Sequence, residues 1–239
     1  MRKRIACLGD SLTRAQFSVD YLNLLGRRHP PGDVRLARFG VNGDFAHNLL
    51  QRIDAVVTDP PDVITVLIGT NDARASLTGY PVEQAMKRKN LPERPSAGWF
   101  QQCLGAVVAR LRAETDARIG LLSLPVLGQQ LDGAAAQASR AYSRMIGEVA
   151  AANEVACLPL HERQVEEVRR ADPPPVPYRE ATAAATVGVL VQHAVLRRSL
   201  DTISRRRGLV LTTDHIHQNS RGASLIAEVI DAGLLTRSV

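Results

Sequence analysis

Three short stretches near the start of the chain, two of them apolar runs and one alternating, each stop at a glycine followed by small polar residues. Ile5 to Leu8 ends in Gly9-Asp10-Ser11. Val34 to Phe39 ends in Gly40-Val41-Asn42-Gly43-Asp44, and Val63 to Ile68 ends in Gly69-Thr70-Asn71-Asp72. An apolar run that breaks at Gly and passes into helix-capping residues predicts a buried strand entering a helix. Val63 to Ile68 is the most continuous and β-branched of the three, which places it centrally in a parallel sheet. Turns after parallel strands open on one edge of the sheet, and ligands bind at that carboxyl edge. Ser11 therefore falls where a nucleophile is useful, beside the free amides of a helix start. The plainer reading of Ser11 is a helix N-cap.

The rest of the chain keeps the alternation. Phe17, Tyr21, Leu24 and Leu25 predict one helix after Ser11, ending near Gly26. Another carries Leu49, Leu50, Ile53, Val56 and Val57. Ala73 to Pro95, with the basic run Lys87-Arg88-Lys89, reads as irregular and as a rim of the site. A helix from about Ser96, a fourth strand Ile119 to Leu124, an Ala-rich helix Ala134 to Asn153 and a fifth strand Val155 to Leu160 follow. This order predicts a doubly wound α/β layer fold.

Composition narrows the function classes. The chain has 239 residues, enough for one large domain or two small ones, and 45% of them are hydrophobic. Net charge is +6, but the arginines are spread along the chain and no basic patch interleaved with aromatics occurs. Nucleic acid is therefore not an expected partner. Cys7, Cys103 and Cys157 form neither a disulfide framework nor a metal-ligand spacing, and their apolar contexts predict buried free thiols in a reducing compartment. The apolar run after Met1 to Arg4 is too short for a signal peptide. No stretch reaches the ~20 apolar residues of a membrane span. A cytoplasmic protein without metal or cofactor is the expectation.

Near the C-terminus, Thr213-Asp214-His215-Ile216-His217-Gln218-Asn219 precedes a helix carrying Leu225, Ile226, Val229 and Ile230, capped by Asn219 or Ser220. Four turns then carry Ser11, Gly43, Asn71 and the pair Asp214/His217. Ester hydrolysis by a serine needs a base for its proton, an acid to orient that base, and donors aimed at the oxyanion. The set resembles the GDSL, or SGNH, hydrolase family. Gly9 to Leu12 matches its first block, Val41 to Asp44 the second, Gly69 to Asp72 the third, and Asp214 to His217 the D-x-x-H of the last. The resemblance implies a three-layer α/β/α sandwich with a flavodoxin-like, doubly wound, five-stranded parallel sheet. It implies Ser11 as nucleophile, His217 as general base and Asp214 as its orienting acid. It also implies an oxyanion hole made by the N–H groups of Ser11 and Gly43 and the side-chain amide of Asn71. His215 stands as the alternative base. His215 and His217 lack the further ligands of a zinc site. The remaining histidines, His29, His47, His161 and His193, read as surface or packing residues.

The implied organisation is a single domain over 1–239 with a helical insertion at about 161–212, before the last helix. Within the insertion, Pro173 to Pro175 leads into Ala181 to Ser204, whose apolar residues recur at helical spacing. Two placements are open: a hydrophobic cover over the site, or packing away from it, including at a homodimer interface. The implied activity is hydrolysis of a small-molecule carboxylic ester, an acetyl ester or thioester among the candidates. Acyl transfer by the same triad and a non-catalytic binding module are the alternatives.

Overall fold

A computed structural model describes residues 2–180, 188 and 197–236. The expected helix Ala181 to Ser204 therefore lies largely outside the described residues, as does His193. Strands β1 (Lys3–Gly9), β2 (Val34–Gly40), β3 (Val63–Leu67), β4 (Arg118–Leu122) and β5 (Ala156–Leu158) form one sheet in the order β2-β1-β3-β4-β5. Every pairing is parallel. The strand order reverses between β1 and β3, which is where an open doubly wound sheet forms its ligand crevice.

Strand alternation sends neighbouring side chains to opposite layers. Ala6, Leu8, Ile64 and Val66 belong to one core, with Phe100, Leu104 and Ile146 from α7 (Ala97–Glu114) and α8 (Ala134–Ala152). Ile5, Cys7, Val63 and Leu67 belong to the other, with Leu22 and Leu25 of α2 (Tyr21–Gly26), Val168 of α9 (Leu160–Ala171), and Leu225, Ile226 and Ile230 of the closing helix Ser220–Ile230. Helices thus cover both faces of the sheet, giving the three-layer α/β/α sandwich. All five residues of β3 are buried, as a central parallel strand requires.

Several local expectations change. The helix after Ser11 is two pieces, α1 (Ser11–Arg14) and α2, because Ala15 takes a left-handed conformation at φ 59° and ends the first turn. Likewise α3 (Ala46–Gln51) and α4 (Asp54–Val57) replace one helix. The stretch expected to be irregular holds α5 (Thr70–Ala75) and α6 (Val82–Lys89), and the basic run is the last turn of α6, where cations complement the helix dipole. The fifth strand is only three residues long, because Pro159 caps the start of α9. Cys7 and Cys103 are buried, with burial pushing both thiols up to about 11, whereas Cys157 is exposed on the edge strand. Of the two readings of His161, surface or packing, packing holds: it is buried, and its Nδ1 lies 3.1 Å from the Leu124 carbonyl oxygen. Among the described residues, no helix is long and apolar enough to cross a membrane, and no group of three or more His, Cys, Asp or Glu could hold a metal ion.

Candidate active site

The turn after β1 is tight. A Cβ on Gly9 would come within 2.3 Å of Thr13 Oγ1 and 2.4 Å of the Leu67 carbonyl oxygen, so only glycine lets the chain turn straight into α1. Asp10, not Ser11, is the N-cap: its Oδ1 accepts from Leu12 N–H at 3.0 Å. That frees the Ser11 hydroxyl for other work. Burial pushes the Asp10 carboxyl up to about 6, against the pull of the Leu12 N–H and His217.

The loop before the closing helix brings the other partners. Asp214 Oδ1 accepts the backbone N–H groups of Ile216 (3.2 Å) and His217 (2.8 Å), so the carboxylate folds its own loop around itself. Its Oδ2 is 2.7 Å from His217 Nδ1, and His217 Nε2 is 3.1 Å from Ser11 Oγ. Burial raises the Asp214 carboxyl, but the charge and hydrogen bonds of His217 and the N–H of Ile216 together hold it below the usual carboxylate range. The Phe17 ring lies 5.3 Å from the His217 ring and backs it. The loop is pinned from outside as well. Val19 N–H donates to the Gln218 carbonyl at 2.9 Å, and Gln218 N–H donates to Ser18 Oγ at 3.0 Å. Asn219 caps the closing helix by accepting from Gly222 N–H at 3.1 Å.

His217, not His215, is the imidazole within hydrogen-bond reach of Ser11. His215 occupies a left-handed conformation (φ 72°) and presents its ring to Tyr178 at 5.6 Å; its buried Nδ1 has no partner among the described residues. Burial pushes the His215 imidazole below its ordinary value, although Asp214 works in the opposite direction.

Gly43 and Asn71 come to the same edge. Asp44 N–H closes a turn onto the Val41 carbonyl at 3.3 Å, and Gly43 takes φ 74° at its third position, where a left-handed residue is required. The turn is anchored through Asp44, whose carboxylate accepts from Arg52 Nε and Lys89 Nζ, each at 2.8 Å. Arg52 also donates to the carbonyls of Phe39 (3.0 Å) and Gly9 (2.8 Å), tying together the ends of β1 and β2. Asn71, in the first turn of α5, donates from Nδ2 to the Asp44 carbonyl at 2.9 Å. Asp72 Oδ2 accepts from Ala46 N–H at 3.2 Å; burial pushes the Asp72 carboxyl up to about 7. Among the described residues, the N–H groups of Ser11 and Gly43 donate to no protein acceptor.

Sequence reasoning missed the residues behind Asn71. Arg74 Nη1 donates to Asn71 Oδ1 at 2.8 Å, and Arg74 pairs with Glu180, which also accepts from Tyr178 OH at 2.7 Å. The spacing of three between Asn71 and Arg74 on a helix was a usable signal. Nothing in sequence points to Glu180, 106 positions from Arg74. A cleft of about 600 Å³ between α8 and α9, lined by Arg140, His161 and Glu162 among others, lies apart from these residues.

A serine hydroxyl on an imidazole whose far nitrogen meets a buried carboxylate can lose its proton to that imidazole. Comparison with known proteins bears on the family and the fold. No curated protein sequence matches the chain. Solved structures match over nearly its whole length. The acetyl xylan esterase AlAXEase is similar with a TM-score of 0.69 and 17% identity, covering 97% of this chain and 100% of its own. Axe2, an acetylxylan esterase from Geobacillus stearothermophilus, has a TM-score of 0.68 and 15% identity, covering 98% of this chain and 95% of its own. LAE5, an α/β hydrolase enzyme from the metagenome of Lake Arreo, Spain, has a TM-score of 0.64 and 18% identity, covering 96% and 94%. At these identities the likeness concerns the fold. The model of the GDSL-like lipase/acylhydrolase family matches residues 7–224, and with three sequence blocks at strand ends and the fourth in the loop before the closing helix this chain belongs to that family, as a carboxylic ester hydrolase of the SGNH fold.

Proposed function

We propose that the protein hydrolyses a small-molecule carboxylic ester through an acyl-enzyme on Ser11. The observation that carries this reading is the unbroken line Ser11 Oγ, His217 Nε2, His217 Nδ1, Asp214 Oδ2, with links of 3.1 and 2.7 Å. His217 Nε2 takes the hydroxyl proton as Ser11 Oγ attacks the ester carbonyl. Asp214 holds the proton on Nδ1, so that Nε2 presents its lone pair to the serine. Negative charge then develops on the carbonyl oxygen, where the N–H groups of Ser11 and Gly43 and Asn71 Nδ2 form the oxyanion hole. The imidazolium returns its proton to the leaving alcohol. Water repeats the attack on the acyl-enzyme with His217 again as base, and the acid and free Ser11 are released.

Asp10 and Asp72 bear on the same edge. Burial leaves the Asp72 carboxyl, pushed up to about 7, partly protonated near neutral pH, which lowers the negative charge next to Asn71, whereas Asp10, at about 6, stays largely ionised.

An acetyl ester of a carbohydrate is the substrate reading we favour, supported by the acetyl xylan esterases among the similar structures. We read residues 1–239 as one domain in which 161–212 is inserted, and the free thiols support a reducing, cytoplasmic setting. A panel of nitrophenyl esters of rising acyl length, run beside acetylated xylo-oligosaccharides, tests the substrate. Highest kcat/KM on acetyl esters is expected. A maximum on long acyl chains overturns the acetyl assignment, and product partition toward an added alcohol would make the enzyme an acyltransferase.

A further inference from the structure

Asn71 has two faces of opposite chemistry, and only its NH2 face can serve an oxyanion. An amide side chain flips readily, because its oxygen and nitrogen ends have nearly the same shape. Two neighbours remove that freedom here. The Asp44 carbonyl only accepts, so it holds Nδ2 at 2.9 Å. The Arg74 guanidinium only donates, so it must face Oδ1, at 2.8 Å from Nη1. One N–H of Nδ2 is thus spent on Asp44. The other is left with Asp10 Oδ2 at 3.5 Å, a weak contact that an oxyanion can displace.

Arg74 is itself fixed from the far side. Its Nε lies 3.1 and 3.4 Å from the two oxygens of Glu180, and its Nη2 also bonds Glu180 Oε1. The pair is largely removed from water, at 14% and 16% side-chain exposure. Tyr178 OH donates to Glu180 Oε2 at 2.7 Å. The Tyr80 ring lies 5.1 Å from the guanidinium carbon and supports it by a cation–π contact. With Nε and Nη2 on Glu180, Nη1 is the nitrogen left for Asn71. A partly buried guanidinium deprived of its carboxylate turns toward water, since an unpaired charge is costly to bury.

We propose that Glu180, through Arg74 and supported by Tyr178, positions the Asn71 amide for catalysis. The segment that follows Pro173 to Pro175 is thereby a structural part of the oxyanion hole, although it is far from Asn71 in sequence. The inference rests on the reading of Asn71 as an oxyanion donor. It also gives the donor a charge effect: a cation on Oδ1 polarises the amide and strengthens the N–H that faces the substrate.

The test compares Glu180→Gln, Tyr178→Phe, Asn71→Ala and the double variant Asn71→Ala/Glu180→Gln in steady-state ester hydrolysis, with melting temperatures as a control. Asn71→Ala is expected to lower kcat roughly 10²–10³-fold, the usual cost of one lost donor. Glu180→Gln should lower kcat about tenfold or more with KM within about twofold, the pattern of an interaction made only in the transition state. Tyr178→Phe should follow in the same direction with a smaller loss. The double variant should be no slower than Asn71→Ala, because Glu180 then has no donor to position. If Asn71→Ala is impaired but folded Glu180→Gln keeps the wild-type kcat, the donor reading stands and the positioning role is overturned. A double variant whose losses multiply in full also overturns it. Should Glu180→Gln fail to fold, Tyr178→Phe decides by the same kcat criterion and by its own double variant with Asn71→Ala. Wild-type turnover in Asn71→Ala removes the donor reading, and this inference with it.

Discussion

Replacing Asp214 with asparagine preserves shape and inverts the chemistry of the relay. In the native loop, Asp214 Oδ1 accepts two backbone N–H groups, from Ile216 at 3.2 Å and His217 at 2.8 Å. In Asp214→Asn those donors must meet the amide oxygen, since an NH2 group cannot accept them. The amide NH2 is then forced to the Oδ2 position, 2.7 Å from His217 Nδ1. A donor there makes Nδ1 the acceptor, so the ring proton moves to Nε2, which faces Ser11 Oγ at 3.1 Å. A protonated Nε2 cannot take the serine proton. In serine hydrolases the wrong tautomer costs ~10⁴-fold in kcat, or about 5.5 kcal/mol of barrier at ~1.4 kcal/mol per tenfold. The assay is kcat and KM on a nitrophenyl ester, with thermal melting to show that the loop still folds. Asp214→Asn should melt close to wild type and lose kcat by three to four orders of magnitude, at similar KM. A variant within about tenfold of wild type would show that Asp214 does not govern the tautomer, and would refute the argument.

Two further predictions follow from the same edge of the sheet. Gly43→Ala places a Cβ 3.0 Å from Lys89 Cε in a residue held at φ 74°; it should lose about 1–2 kcal/mol of stability from the left-handed conformation and also lose turnover as the N–H tilts away. Urea unfolding and ester kinetics check this, and retention of both removes the need for glycine there. Asp72 binds its proton more tightly folded than unfolded, with its carboxyl pushed from 3.8 to about 7 by burial. Wild-type stability from this group is therefore lost as pH rises through that window. The stability of Asp72→Asn relative to wild type should grow by up to ~4 kcal/mol between about pH 4 and pH 7.5, and a difference independent of pH in urea melts contradicts the assignment.

What was legible in the sequence is what depends on neighbours along the chain. The runs broken at Gly9, Gly40 and Gly69 gave strand ends on one sheet edge; Ser11, His217 and Asp214 are hydrogen-bonded in line there, and Asn71 bonds the carbonyl of Asp44, the residue after Gly43. The competing capping role of Ser11 was undecidable from sequence, because Asp10 and Ser11 are adjacent and both cap helices well. The break after α1 was hidden because alanine is a good helix former and Ala15 is held at positive φ by its surroundings. The choice between His215 and His217 rested on spacing alone until the loop geometry separated the two rings. Glu180 was invisible for a different reason: its bond to Arg74 closes 106 residues of chain, and no periodicity reports a contact of that span. Cys157 was expected to be buried from its apolar neighbours, but a strand at the sheet edge exposes what a central strand covers.

The most direct measurement is mass spectrometry of protein quenched during turnover of a slowly deacylated ester, or after reaction with a fluorophosphonate. Trypsin should release residues 5–14 as one peptide, containing both Cys7 and Ser11. The account predicts a single adduct on that peptide, with fragment ions placing it on Ser11, and no adduct in Ser11→Ala. An adduct on Cys7 or on any other peptide, or ester turnover that persists at the wild-type rate in Ser11→Ala, would contradict it.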